Sequence, residues 1–233
     1  MSNIINKDLY FHECELKYRL FERDKEIYID QLNQLGFEMK EDILETDYTP
    51  DVDGFLCRKN NVMLRFRIIE GTRNDCLVTL KVKGENESFN DNYELEYYDS
   101  NFSEEVFAEI NKVLLQYTGC CISKELSNER KVGVLITELK KIGFINNRML
   151  SQKKRTIYTK DDIKISFDRF PRDIGEYMEV ETSSPSKLQE FVEAMKYDVT
   201  KIEKLNYGLL IQKKQAELSD DERRVCVFDI EEK

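Results

Sequence analysis

Apolar residues recur along this chain with two different periods, and the switches between them divide it into helices and strands. Recurrence at three and four residues predicts five helices. The first, Asp24 to Leu35, carries Ile27, Ile29, Leu32 and Leu35 and stops at Gly36. Ser103 to Tyr117 opens with a capping-box pattern, Ser103-Glu104-Glu105 ahead of Val106 and Phe107, and stops at Gly119. Val132 to Ile142 ends at Gly143, Ser184-Pro185-Ser186 starts a helix through Met195, and a fifth runs from Lys201 to Gln212 with Leu205, Leu209 and Leu210 buried. Between them the text alternates with period two and reads as strands. The end of the first helix, Leu32-Asn33-Gln34-Leu35-Gly36-Phe37, is echoed by Leu139-Lys140-Lys141-Ile142-Gly143-Phe144. Two similar halves closing on one another suit a barrel.

The strands depart from the usual alternation of apolar and mixed polar residues. In Phe11 to Leu20, Glu13, Glu15, Lys17 and Arg19 share one face, while Cys14, Leu16, Tyr18 and Leu20 share the other. Arg65 and Arg67 alternate with Leu64, Phe66 and Ile68; Thr79, Lys81 and Lys83 alternate with Val78, Leu80 and Val82; Glu94 and Glu96 alternate with Tyr93, Leu95 and Tyr97. Lys153 and Arg155 share a face, Lys164, Ser166 and Asp168 oppose Ile163, Ile165 and Phe167, and Glu179 and Glu181 alternate with Met178 and Val180. A solvent face of an ordinary sheet intersperses its signs, because like charges side by side repel. Here whole strands are basic or acidic, which a bound polyanion together with a divalent metal would neutralise.

The chemistry follows from the residue types. Guanidinium and ammonium groups bind phosphate oxygens, Arg in a bidentate way. Magnesium and manganese take oxygen ligands, and carboxylates two residues apart on a strand stand about 7 Å apart, so facing strands supply one or two each. Composition narrows the field further. Of 233 residues, 36 are Lys or Arg and 46 are Asp or Glu, a formal net charge of −10, which argues against nucleic acid as a partner. Hydrophobic residues at 40% suffice for a core, and three prolines with no low-complexity linker favour one cooperative unit. No apolar run is long enough to span a membrane and the first residues lack a signal-peptide core, so a cytoplasmic protein is expected. Cys14, Cys57, Cys76, Cys120, Cys121 and Cys226 form no zinc pattern and read as reduced, structural thiols. A lone histidine, His12, on the face opposite Glu13 and Glu15, removes Ser-His-Asp and Cys-His catalysis.

Taken in order, these charged strands resemble the signature of the CYTH superfamily, the triphosphate tunnel metalloenzymes. Its Glu-x-Glu-x-Lys motif stands here as Glu13-Cys14-Glu15-Leu16-Lys17. Arg65-Phe66-Arg67, Thr79 to Lys83, Glu94-Leu95-Glu96, Lys153 to Tyr158, Ile165 to Asp168 and Gly175 to Glu181 follow in the family's order, so the likeness runs from Phe11 to Gln212. It implies an α+β fold: an eight-stranded antiparallel β-barrel enclosing a tunnel, flanked by helices, over residues 1–212. Residues 213–233 read as a charged, solvated tail whose docking candidates are Val225, Val227 and Phe228.

The resemblance assigns Glu13, Glu15, Glu179 and Glu181 to Mg2+ or Mn2+, with these four and Lys17 as the catalytic set. It assigns Lys17, Arg65, Arg67, Lys81, Lys83, Lys153 and Arg155 to the triphosphate, and Glu94, Glu96 and Asp168 to tunnel carboxylates that organise the basic groups or a second metal. The family's closing segment reads here as Lys204-Leu205-Asn206-Tyr207, with Asn206 in place of a serine and the basic role open to Lys201 or Lys204. Tyr158 and Tyr177 read as packing residues or contacts to a ring at the tunnel mouth. The implied activity is hydrolysis of inorganic triphosphate, a nucleoside triphosphate or thiamine triphosphate, by attack of water on a terminal phosphorus. The alternative is a class IV adenylyl cyclase, in which the ribose 3′-hydroxyl attacks the α-phosphorus and pyrophosphate leaves. The implied partner is a small-molecule triphosphate, with no nucleic acid and no membrane, and the chain a monomer or homodimer.

Overall fold

A computed structural model describes residues 9–83 and 90–229, with the side chains of 11–13, 90–92 and 199 outside the description. In chain order the elements are β1 (Phe11–Leu20), α1 (Asp24–Gln34), β2 (Glu38–Asp51), α2 (Leu56–Lys59), β3 (Val62–Gly71), β4 (Asp75–Lys83), β5 (Asn90–Tyr98), α3 (Glu104–Thr118), α4 (Val132–Lys141), β6 (Asn146–Lys160), β7 (Ile163–Phe170), β8 (Gly175–Thr182), α5 (Pro185–Met195), α6 (Tyr207–Lys214) and β9 (Val225–Cys226). Neighbours run in the order β2-β3-β4-β5-β1-β8-β7-β6, and β2 also pairs with β6. Eight antiparallel strands therefore curl into one sheet whose two ends meet, and the helices pack on its outside, an α+β fold.

The closing seam is built by the echoed segments. Phe37 donates its N–H to the Leu32 carbonyl at 3.0 Å, and Phe144 donates to Leu139 at the same distance. Each is the long backbone bond of a helix-terminating turn through a glycine with positive φ, Gly36 at 80° and Gly143 at 103°. The chain leaves these turns as β2 and β6, the two longest strands, which pair from Glu38↔Thr159 to Asp51↔Asn146.

Alternation then sorts the side chains. Outward residues of β3, β4 and β5 (Leu64, Phe66, Leu80, Leu95) bury against Ile110, Val113 and Leu114 of α3 and Leu135 and Leu139 of α4. Those of β1, β7 and β8 (Cys14, Tyr18, Ile165, Phe167, Val180) bury against Leu32 of α1 and Leu188 and Phe191 of α5. With the helices holding both apolar outer faces, charge is left for the inner one. Inner positions of five adjacent strands end in an apolar layer of Ile43, Ile69, Leu77 and Ile157, with Tyr98 packed against it.

The fifth helix begins at Tyr207 rather than Lys201, because tertiary contacts claim the residues before it. Ile202 forms a bridge with Tyr18, Glu203 donates its N–H to the Lys17 carbonyl at 2.8 Å, and Asn206 caps α6 by accepting from the Leu209 N–H at 2.9 Å. Residues 225–228 of the charged stretch dock on the barrel, Val225 and Phe228 among them as the sequence offered. β6 extends past the end of β7, and β9 pairs in parallel with the uncovered stretch at Leu150 and Ser151. Cys226 and Phe228 are buried there, and the Phe228 N–H donates to Gln152 Oε1 at 3.0 Å. None of the described helices is long and apolar enough to cross a membrane.

Candidate active site

The inner face of the barrel gathers acidic and basic side chains from all eight strands. On β1 and β8 the register sets Glu15 opposite Glu181 and Lys17 opposite Glu179. Carboxylate oxygens of Glu15, Glu179 and Glu181 lie within 4.8 Å of one another. Three carboxylates so close repel unless cations sit among them. Lys17 Nζ lies 3.2 Å from Glu179 and 3.6 Å from Glu15, Lys164 pairs with Glu181, and Arg155 reaches Glu179 and, at 4.0 Å, Glu181. Hard oxygen donors at this spacing fit Mg2+ or Mn2+, for which they are the preferred ligands. Backbone register places Glu13 beside them on β1, but its side chain is outside the described set.

Across the barrel the basic groups are held by paired carboxylates. Arg155 grips Asp168 through Nε and Nη2, both at 2.6 Å, and Lys153 bridges Asp168 and Glu45 at 3.3 Å each. Arg67 grips Asp47 at 2.6 and 2.8 Å and reaches Glu45 at 3.2 Å. Arg65 lies 3.5 Å from Glu96 and donates to the Thr79 hydroxyl at 3.1 Å, while Thr79 donates to Glu96 at 2.7 Å. Lys81 pairs with Glu94. These groups are desolvated: Lys17 is 2% exposed, Arg155 3%, Asp168 1% and Glu179 4%. In such a low-dielectric enclosure, ionic bonds to a bound anion are stronger than in water.

Of the residues singled out in the sequence, Glu15, Lys17, Arg65, Arg67, Lys81, Glu94, Glu96, Lys153, Arg155, Asp168, Glu179 and Glu181 come together inside the barrel. Lys83 is exposed at the end of β4, and Lys204 is exposed in the turn before α6. Lys201 is drawn away by Asp24 at 2.8 Å. Tyr158 packs edge-on against Phe167 in the outer core; Tyr177 is fully buried, its hydroxyl donating to the Ile174 carbonyl at 3.1 Å.

Three inner residues were given no role from the sequence, though Tyr207 stands in the family's closing segment. Glu45 and Asp47 of β2 alternate with Leu44, Thr46 and Tyr48, a signal the sequence carries but which the charged run Glu38 to Asp42 blurs. The third is Tyr207, the first residue of α6, whose hydroxyl donates to Asp168 Oδ2 at 2.7 Å.

Burial alone would raise the carboxyls and lower the amines, and the pairing reverses both tendencies. Glu179 is held well below the ordinary carboxylate value by Lys17, Arg155 and Lys153 despite full burial, and Lys17 is raised by Glu15 and Glu179 against its own desolvation. Glu45, also against burial, is brought down to about 2 by Arg67, Lys153 and Arg155, and Asp47 is lowered chiefly by Arg67. A carboxyl depressed in the folded state adds stability that is complete above its unfolded value and lost as pH falls toward the folded one. Urea unfolding followed from pH 6 to 2 is expected to show stability draining away below the ordinary glutamate value of 4.5 toward about 2. Glu45→Gln should flatten that slope; an unchanged slope in the variant contradicts the assignment.

No family model matches this chain, and no curated protein does. Solved structures do match in three dimensions. The PH1819 protein of Pyrococcus horikoshii OT3 superposes with a TM-score of 0.59 at 20% identity, covering 86% of this chain and 99% of its own. A Vibrio parahaemolyticus protein described as a "putative adenylate cyclase" gives 0.55 at 18% identity, covering 87% and 98%. HpAC1 from Hippeastrum, described as revealing a dominant triphosphatase activity, gives 0.54 at 16% identity, covering 90% and 98%. At these identities what is shared is the fold.

Proposed function

We propose that the chain is a divalent-metal-dependent triphosphate hydrolase of the CYTH type that binds its substrate inside the barrel, a reading supported by the sequence resemblance and the shared fold. The observation that carries this reading is the joint presence, on one enclosed face, of a three-carboxylate cluster and a ring of arginines and lysines. A pure anion binder gains nothing from Glu15, Glu179 and Glu181. A pure metal site has no use for Arg65, Arg67, Lys81, Lys153 and Arg155.

In this reading Glu15, Glu179 and Glu181, with Glu13 beside them in register, hold Mg2+ or Mn2+. When bound, the ion supplies Lewis-acid polarisation of a phosphoryl oxygen and offsets the substrate's charge. Every further task falls to the protein's own groups. Arg65, Arg67, Lys81, Lys153 and Arg155 exchange carboxylate partners for phosphate oxygens, with bidentate guanidiniums fixing orientation. Glu45, Asp47, Asp168, Glu94 and Glu96 keep those cations placed beforehand, so little reorganisation accompanies the reaction. Lys17, raised and cationic, stands at the carboxylate cluster, where it meets charge developing on a terminal phosphoryl group.

Phosphorus NMR of the protein with tripolyphosphate, ATP and thiamine triphosphate, each with Mg2+ and then Mn2+, tests the proposal and ranks substrates. Orthophosphate release is expected. Cyclic AMP and pyrophosphate from ATP without orthophosphate would make it a cyclase, and no product from any of the three would count against an enzyme.

A further inference from the structure

Tyr207 enters the barrel from outside the sheet. It is the first residue of α6, and its half-buried phenol stands among charged groups: the hydroxyl donates to Asp168, Lys17 Nζ lies 4.2 Å from the ring centroid and Lys153 Nζ 4.9 Å. Lys17 belongs to β1 and Lys153 to β6, strands separated in the sheet by β8 and β7. One ring thus touches two ammonium groups that no strand pairing brings together. Glu179 and Asp168 already attract both ammonium groups, and the negative face of the aromatic ring adds a shared attraction that does not depend on those carboxylates.

The ring has little freedom of its own. Phe170 and Tyr177 pack against it with centroids 4.6 and 5.8 Å away. Behind it, Leu210 and Ile211 of α6 share a buried cluster with Met149 and Cys226. Cys226 lies in β9, in the docked stretch beyond the reach of the sequence resemblance, and so helps hold α6 in place.

We propose that Tyr207 is a positioning residue for the phosphate-binding lysines, its ring face holding Lys17 and Lys153 at the separation a triphosphate requires. The inference rests on the triphosphate reading and adds a determinant of affinity that the charged strands do not contain. On binding, each ammonium trades its carboxylates for phosphate oxygens, while the ring stays as the shared contact that keeps the pair from separating.

The test separates the ring's electrons from its bulk. Affinity for Mg2+-imidotriphosphate is measured by titration calorimetry for the wild type, for Tyr207→Phe, and for tri- and pentafluorinated phenylalanine inserted at position 207 by nonsense suppression. Fluorination empties the ring face of negative charge at nearly constant shape, so a role in packing alone would leave binding unmoved. The expected result is a dissociation constant within about threefold of wild type for Tyr207→Phe, rising stepwise with fluorine to about tenfold. A dissociation constant that is flat or falls across the fluorinated series overturns the proposal. Failure of the wild type to bind imidotriphosphate at all would refute the triphosphate reading itself, a different outcome from a flat series.

Discussion

Glu179→Gln is expected to lower turnover of tripolyphosphate by about a thousandfold. The substitution keeps the shape of the side chain but removes one charge from a cluster of three carboxylates whose oxygens lie within 4.8 Å of one another. Metal-assisted stabilisation of a phosphoryl transition state is worth several kcal/mol, and forfeiting about 4 kcal/mol corresponds to roughly three powers of ten in rate. Binding should change far less, because Arg65, Arg67, Lys81 and Lys153 keep the carboxylate partners Glu96, Asp47, Glu94 and Glu45 that hold them in place. The amide also frees Lys17 and Arg155 from one partner each, and Glu15 and Asp168 remain to hold them. Turnover at saturating substrate and calorimetric affinity measured on the same sample check the prediction; a loss of affinity with turnover unchanged would mean that Glu179 serves binding alone.

The second large effect is on stability. Arg155 is buried and joins Asp168, Glu179 and Glu45, so Arg155→Met strands several carboxylates in a low-dielectric interior. Breaking a buried ionic group from one side costs about 3–5 kcal/mol, because the remaining charges lose their compensation. Removing both sides is much milder, so Arg155→Met with Asp168→Leu should recover part of that loss. Arg155→Lys should recover less than its charge suggests, since a single ammonium cannot reproduce a planar fork spanning Asp168 and Glu179. Urea unfolding of the three variants gives the answer. A double variant no more stable than Arg155→Met would show that the network is not mutually compensating, and near-wild-type stability of Arg155→Met would contradict its burial among carboxylates.

Much of this arrangement was legible because each strand writes its inner and outer faces as alternate residues, and here the unusual face is the charged one. Arg65 and Arg67, Lys153 and Arg155, and Glu179 and Glu181 lie on the inside, in the same alternation by which Phe66, Thr156 and Val180 face away. Glu45 and Asp47 were harder to see. Four of the first five residues of β2, all but Met39, are charged, since that end of the strand is largely exposed, and the period becomes distinct only from Ile43 onward. The start of α6 was illegible for a different reason. Residues 201 to 203 have helical spacing, but pairing with β1 at Tyr18 and Lys17 claims them, a contact between segments far apart in the chain. Tyr207 depends on that displacement. Had the helix begun at Lys201, the residue would sit within its second turn, with no reason to enter the barrel.

On the proposed function, the barrel's inner face is a joint site for triphosphate and a divalent cation. Its most direct test is the melting temperature of the protein with tripolyphosphate alone, Mg2+ alone, Mn2+ alone, and each metal together with tripolyphosphate. A ligand at a hundredfold excess over its dissociation constant stabilises by about 2.7 kcal/mol, which for a chain of this size raises melting by roughly 5–10 °C. A rise of that order is expected with metal and tripolyphosphate together, larger than the sum of the separate effects, and it should be lost when Arg67, a residue of the opposite wall, is changed to Met. A melting temperature unmoved by the combination would contradict the site.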